Sequence, residues 1–335
     1  MLHGLSSGYV VLAENTGSHE QPAFNRRRIL HEASGKPIDV GYDASPRAVD
    51  WDGDGDVDLL AGGFVTGWIF HFENVGKLAN GTPDLRARGP LKIDGQPIDT
   101  GWAAAPEVAD LDGDGDLDLI CGAHSGHIWF HENRGDDRKP DLDEVGYRLP
   151  LADGGLVQVG EPPAGKKPGF NFTDLQGARP KPAPADFDRD GRVDLVIGDT
   201  YGRVRFFRNL GRDGEGRHTF AAPVMIHKSR SRLSIHAGDW DGDEAADVFV
   251  ITGQRVDLFR NRALPGRCEF EEPERLKLPA AIGGFYGVAP VDLNNDGDTD
   301  LVYHTSSRIT CYVERSFLKH GYRQATIMSI EKRDK

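Results

Sequence analysis

Cysteine is scarce in this chain. Cys121, Cys268 and Cys311 are the only three in 335 residues, too few and too scattered for a disulfide framework. Long apolar runs are missing too, so no segment reaches the roughly 18 residues that a membrane-spanning helix needs. Basic residues are outnumbered, 40 Lys and Arg against 53 Asp and Glu, for a formal charge of −13. That balance argues against nucleic acid as a partner, because phosphate contacts need clustered cations. Met1–Gly8 shows neither the basic start nor the apolar core of a secretory signal; the chain reads as beginning inside a repeat. No His-Glu-x-x-His or phosphate-loop motif is present. What is abundant is glycine and proline, 42 and 20 residues, which argues against a helix bundle.

One string recurs five times: Asp-x-Asp/Asn-x-Asp-x-x-x-Asp, then an apolar run. It starts at Asp50, Asp110, Asp186, Asp239 and Asp292, at intervals of 60, 76, 53 and 53 residues. A second string, Gly-x-Ile/Val-x-apolar-x-x-Asn, follows each copy, as in Gly126 to Asn133; others begin at Gly67, Gly202, Gln254 and Ser307, the last ending in Glu314. Gly8 to Asn15 is a sixth copy with no acidic loop before it. In the second unit, Pro106–Ala109, Leu117–Gly122, His127–Glu132 and Val145–Leu151 read as short strands, with no helical period between them. Four short antiparallel strands per repeat are the signature of a propeller blade.

The pattern therefore predicts an all-β chain: one β-propeller domain over 1–335, of about six four-stranded blade units. They span about 1–40, 41–100, 101–160, 175–230, 231–280 and 281–335, with a long insertion at about 134–183. The first unit is incomplete, and a seven-bladed ring missing a segment is the alternative count. A β-sandwich with accidental acidic turns fits the recurrence less well.

The acidic strings have the chemistry of metal loops. The first offers Asp50, Asp52, Asp54, Asp56 and Asp58; the second Asp110, Asp112, Asp114, Asp116 and Asp118. Carboxylates at positions 1, 3 and 5 converge when the chain curls, and glycine at position 6 permits the positive φ of the curl. Position 7 offers its carbonyl, and the aspartate at position 9 closes the shell. The third loop supplies Asp186, Asp188, Asp190, Arg192 through its carbonyl, and Asp194. The fourth supplies Asp239, Asp241, Asp243 and Asp247, with Glu244 in the glycine position, so its site is expected to be the weakest. The fifth supplies Asp292, Asn294, Asp296, Asp298 and Asp300. Hard oxygen donors in this number suit Ca²⁺ rather than Zn²⁺. A strand follows each loop, and no glutamate stands at position 12, so these are not EF-hands.

Asp-x-Asp-x-Asp-Gly-x-x-Asp-Leu-apolar-x-Gly, followed by the Gly-x-Ile/Val strand, resembles the FG-GAP or VCBS repeat that also builds integrin α-subunit propellers. The resemblance covers nearly the whole chain. It implies a propeller with up to five structural Ca²⁺ sites on one face of the disc. Its members include adhesion modules, lectin-like proteins and some polysaccharide lyases, so it does not select an activity.

On the opposite face, alignment of the repeats brings forward the loops entering each blade and those between its second and third strands. The ligand candidates there are Trp102, His124, Tyr201, Tyr286 and His304. Arg47, Glu107 and His236 stand three residues before an acidic loop, where polar side chains suit a channel mouth. His71 and His131 read as core or edge histidines, and Trp51, Trp68, Trp129 and Trp240 as packing. Lys166, Lys167, Arg179 and Lys181 form a basic cluster able to attract an anionic polysaccharide; a solvated proline-rich loop is the plainer reading. Arg134-Gly135-Asp136 and the acceptor pattern at Asn171 are short matches of little weight.

Two functions follow. The first is a non-enzymatic, calcium-stabilised module for carbohydrate binding or cell adhesion, engaging carbohydrate or an extracellular protein. Its place would be extracellular, periplasmic or at the cell surface, where millimolar calcium suits such loops. The alternative is a polysaccharide lyase that cleaves a uronate-containing glycan by β-elimination. That reaction needs a group to neutralise the carboxylate and a base for the adjacent proton.

Overall fold

The computed structural model describes residues 2–14, 26–78, 82–135, 139–142, 146–159, 178–229, 233–253, 255–276, 278, 288–291, 300–304 and 310–313. The described residues are strands, bridges and turns, built into six antiparallel sheets of three or four strands ordered as in the chain, with two small two-stranded hairpins beside them. The first sheet holds Leu2–Gly4, Val10–Glu14 and Arg26–Ile29. The second holds Ser45–Val49, Asp58–Gly62, Ile69–Lys77 and Pro83–Pro90; the third Ala105–Ala109, Asp118–Gly122, Ile128–His131 and Tyr147–Arg148. Lys181–Ala185, Asp194–Gly198, Arg203–Phe207 and Val224–Lys228 form the fourth; Leu233–Gly238, Asp247–Thr252, Arg255–Phe259 and Glu274–Leu276 the fifth. Val288–Val291, Asp300–His304 and Thr310–Val313 form the sixth.

The leading strands of the second to sixth sheets lie against one another in chain order, so the sheets stand radially as the blades of a propeller. Four sheets have all four strands. The first aligns with strands two to four of a blade, and the sixth with strands one to three, among the described residues. In the third sheet the first strand starts one residue before its sequence signal, at Ala105, while Leu117 stays in the loop and the last strand shrinks to Tyr147–Arg148.

Packing explains why each second strand is apolar through its middle, after its leading aspartate. Alternate side chains leave a strand on opposite faces, and each sheet is covered on both sides. Leu59 and Ala61 pack toward the first sheet, whereas Leu60 packs toward the third. Leu119 and Cys121 face the second sheet, and Ile120 faces the fourth. Leu195 and Ile197 face back to the third sheet while Val196 meets the fifth; Phe249 and Ile251 join the core toward the sixth. Cys121 is a buried free thiol within this packing.

The glycine that closes these strands has a steric cause. A Cβ on Gly62 would stand 2.2 Å from the carbonyl oxygen of Ala104, and one on Gly122 equally close to that of Pro180. Each glycine thus lets the loop entering the next blade lie directly on the strand end.

Candidate functional site

Antiparallel register places the two kinds of loop at opposite ends of each blade. Val49 pairs with Asp58 at the acidic end, and Ser45 with Gly62 at the other.

At the acidic end, carboxylate oxygens of Asp50, Asp52 and Asp58 lie within 4.8 Å of one another. The same holds for Asp110, Asp112 and Asp118, for Asp186, Asp188 and Asp194, and for Asp239, Asp241 and Asp247. Backbone N–H groups hold this geometry. Asp50 accepts from Gly55, Asp110 from Gly113 and Gly115, Asp186 from Asp190 and Gly191, and Asp239 from Gly242 and Glu244. Gly55, Gly115 and Gly191 have φ of 93°, 103° and 85°. Glu244 is forced to φ 67° in the fourth loop, and Arg189 to 56° in the third. These two strained residues meet across adjacent blades, Arg189 Nη2 to Glu244 Oε2 at 2.9 Å. The fifth loop lies outside the described residues except for Asp300, whose backbone begins the second strand of the sixth sheet.

The position-9 aspartate does more than offer a ligand. Asp118 Oδ2 accepts the Leu111 N–H, and its Oδ1 accepts the Asn133 N–H. Asp58, Asp194 and Asp247 do the same with Trp51 and Asn74, Phe187 and Asn209, and Trp240 and Asn261. The recurring asparagine, present in the sequence only as the end of a strand signal, anchors the loop from behind. Its side chain returns a bond to Val57, Val193 or Ala246 through Asn74, Asn209 or Asn261. Trp51 and Trp240 are buried beside these anchors.

Arginine balances part of the charge. Arg212 reaches Asp112, Arg208 reaches Asp188 and Asp190, and Arg262 reaches Asp241 and Asp243. Arg192, whose carbonyl the loop pattern assigns to position 7, turns its guanidinium to Asp190. In the first loop, Asp50 Oδ1 and Asp52 Oδ1 are buried without a hydrogen-bond partner among the described residues. Asp188 and Asp241 also keep buried oxygens outside any hydrogen bond. Orphaned hard oxygens converging on one point fit a divalent cation of the calcium type.

Desolvation pushes Asp118, Asp194 and Asp247 up to about 7, with neighbouring loop carboxylates adding to the rise and backbone N–H bonds opposing it. The unfolded chain releases these protons near pH 4. Between pH 4 and 7 the native metal-free protein therefore holds more protons than the unfolded chain, and its stability falls as pH rises. In chelator, Tm is expected to drop by roughly 5–10 °C from pH 5 to pH 7.5, with calcium restoring more at the higher pH. A Tm that climbs over this range in chelator contradicts the assignment.

At the other end, the structure gathers several predicted side chains. Tyr42 and Phe64 rings lie 5.6 Å apart, Phe64 and Trp102 6.3 Å, Phe64 and His124 6.2 Å, and Trp102 and His124 6.1 Å. Phe64 is buried as the floor, while Tyr42 is 54% exposed. Arg179 lies over the Phe64 ring, with Cζ 4.4 Å from the ring centroid, and its Nη1 is 3.3 Å from Asp43 Oδ2. Backbone bonds lock the loops together: Phe64 N–H to Tyr42 O, Ala103 N–H to Phe64 O, and His124 N–H to Trp102 O.

Asp43, Ala103 and Arg179 occupy the same place in three successive entry loops, seven residues before the acidic loop, and all are left-handed, with φ of 55°, 58° and 40°. Non-glycine residues seldom adopt that conformation, and such strain gathers at functional sites. Sequence reading did not single out Phe64 or Asp43; the aligned position before each acidic loop is the signal that finds Asp43.

Nearer the axis, Arg47 Nη1 meets Glu107 Oε2 at 2.9 Å. Burial raises the Glu107 carboxyl against the opposing pull of Arg47 and Lys181. Lys181 is lowered to about 8 by burial, and His236 to about 3 by burial, with Lys181 and Arg47 adding to the fall. Arg47, Glu107, Lys181 and His236 thus share one electrostatic neighbourhood on consecutive leading strands. Burial, then Arg179, lowers His124. Tyr201 sits apart from this grouping in role: it packs on the core between the third and fourth sheets, with Arg203 over its ring. Tyr286 lies outside the described residues, and His304 is placed only as the end of a strand. His71 approaches Asp58, and His131 is buried and stacked beside Trp129. Lys166, Lys167 and Asn171 lie outside the described residues.

Radial four-stranded sheets with acid-lined turns define a β-propeller built from acidic-loop repeats. The chain belongs to the FG-GAP-like repeat family, whose pattern matches residues 50–121, 186–250 and 239–303, more than half its length. It is 32% identical over 126 residues to cartilage acidic protein 1 of Xenopus tropicalis, a match covering 36% of this chain and 20% of that protein. The match therefore takes in about a fifth of the relative's length. An Agrocybe aegerita lectin that recognises non-reducing terminal N-acetylglucosamine aligns over 90% of this chain and 69% of its own, at 16% identity and TM-score 0.45. The Photorhabdus luminescens Tc holotoxin pore aligns over 92% of this chain and 13% of its own, at 17% identity and TM-score 0.43. An exotype rhamnogalacturonan lyase aligns over 84% and 48%, at 16% identity and TM-score 0.35.

Proposed function

We propose that this protein is a calcium-stabilised propeller of the extracellular or cell-surface space that binds carbohydrate through the face opposite its acidic loops. The observation that carries this reading is the cluster of Tyr42, Phe64, Trp102, His124 and Arg179, drawn from three consecutive blades onto one rim. Aromatic faces stack on the C–H surface of a sugar, and a few fixed polar groups then select its orientation. Rigid loops lower the ordering cost of binding. Calcium has a structural part here: it joins the first two strands of each blade at the far end. Asp50, Asp52 and Asp58, with their counterparts, would hold it.

Binding should be read on a glycan array and by calorimetric titration in calcium buffer. Trp102→Ala is expected to weaken a ligand by about 30-fold, roughly 2 kcal/mol for an aromatic anchor. Because Trp102 also packs on its neighbours, the more exposed Tyr42→Ala serves as the second variant and should weaken binding with Tm unchanged. Wild-type-like affinity in both variants would falsify this site.

One observation favours the lyase as a second reading. His124, held below its ordinary pKa, is a neutral base near neutral pH, and the Arg179 charge acts on it from close by. Turnover would show as growth of the ultraviolet absorbance of an unsaturated uronate product, lost in His124→Ala.

A further inference from the structure

Three basic side chains stand at the described rim of an acidic protein. Arg47, Arg179 and Lys181 stand against Asp43 and Glu107 at the mouth, whereas the whole chain is at −13. Asp39 and Asp99 in the same entry loops add negative charge, so an anion would be held here by direct contact with these cations rather than by a net field. The opposite end of the same blades is crowded with carboxylates, so an anionic ligand is directed to one face only.

Arg179 is the group best built to receive that anion. Its side chain is 13% exposed, pinned by the Phe64 ring beneath and by Asp43 at Nη1. Its Nε is buried with no hydrogen-bond partner among the described residues. A guanidinium presents two parallel N–H donors along its Nε edge, the geometry that a carboxylate takes in bidentate fashion. Asp43 occupies the other end, so the Nε edge is the one left for a ligand. Contact with the Phe64 ring restricts the guanidinium and lowers the entropy lost on binding. The left-handed conformation of Arg179 and of Asp43 brings this pair to the rim beside Trp102 and Tyr42. An aromatic wall next to a fixed guanidinium matches a sugar ring that bears a carboxylate.

We propose that the rim selects hexuronate-containing oligosaccharides, with Arg179 receiving the carboxylate while Trp102 and Tyr42 flank the ring. This inference rests on the carbohydrate-binding reading and adds the charge of the ligand and the residue that reads it. Lys181 and Arg47, deeper along the leading strands, continue the row of cations toward the axis and would offer contacts to a second acidic residue of the chain.

The full chain in calcium buffer is titrated with oligogalacturonate, oligoglucuronate and alginate oligosaccharides, each paired with its carboxyl-reduced counterpart. The expected result is binding of at least one acidic member, at least tenfold tighter than its reduced partner. Arg179→Gln should bring the ratio of acidic to reduced affinity down toward one, by weakening the acidic member far more than its reduced counterpart. Arg179→Lys should retain the charge and lose most of the bidentate advantage. Melting curves of both variants report whether the rim still folds, and Lys181→Gln, which leaves the Phe64 stack in place, should weaken the acidic ligand by a smaller factor. Equal binding of acidic and reduced forms overturns the inference and leaves the carbohydrate reading standing. An Arg179→Gln variant that loses both forms equally assigns Arg179 to loop support and also overturns it. No binding by any probe, with a blank glycan array, removes both readings.

Discussion

Removing calcium is expected to lower the melting temperature by about 15 °C or more, and restoring it should reverse the loss. Each described cluster brings three carboxylates within 4.8 Å. Like charges so close repel at any realistic dielectric, and a divalent ion turns the repulsion into attraction. A ligand that binds only the native state adds about 2.7 kcal/mol per site at a hundredfold excess over its Kd. Four such sites along one chain make the combined effect large even with incomplete additivity. The Asp50 loop should fill first. Its orphaned oxygens belong to Asp50 and Asp52, whereas Arg212, Arg208 and Arg262 already compete for the position-3 carboxylates of the other three. Scanning calorimetry with and without chelator, and with magnesium as the control ion, measures this. An unchanged transition in chelator would remove the metal from the account.

Asp247→Ala should destabilise the protein by about 2–5 kcal/mol even in chelator. The substitution leaves two buried donors, the Trp240 N–H at 2.8 Å and the Asn261 N–H at 2.7 Å, without an acceptor. An orphaned buried donor costs about 1–3 kcal/mol. Asp243→Ala at position 5 of the same loop serves as the contrast. Its carboxylate accepts from Ala245 and pairs with Arg262 near the surface, so in chelator its loss should cost about 1 kcal/mol or less. Denaturant unfolding of both variants in chelator separates an anchor from a mere ligand. If Asp247→Ala matches the wild type there and differs only in calcium, the anchoring role is wrong.

The difference between those two aspartates was not visible in the repeat. Both are acids at fixed positions of one string, and spacing assigns both to a metal. Only the folded hairpin shows that position 9 faces inward, where its oxygens meet the backbone of the recurring asparagine. The acidic loops themselves were readable because they are local: nine consecutive residues carry the donors, and their glycines carry the required φ. The rim was readable in part. Trp102, His124, Arg47, Glu107 and His236 stood out by repeat alignment, and the structure sets Trp102 with His124 and joins Arg47 to Glu107. Phe64 did not stand out, because an aromatic after Gly62-Gly63 looks like ordinary packing until Arg179 is seen above it. Arg179 lies 136 residues from its partner Asp43, a separation no local pattern spans.

Recurrence by itself determined the sheet-forming units and the acidic turns between their first two strands, whose oxygens could hold a metal ion. Each depends on neighbours in the chain, where strand alternation and turn chemistry act over a few residues. Which carboxylates are anchors, which arginines balance them and which side chains share the rim were decided by the radial stacking of blades. That stacking brings the entry loops of three blades into contact, and its energetics lie in burial and charge that exist only after the sheets have closed on one another.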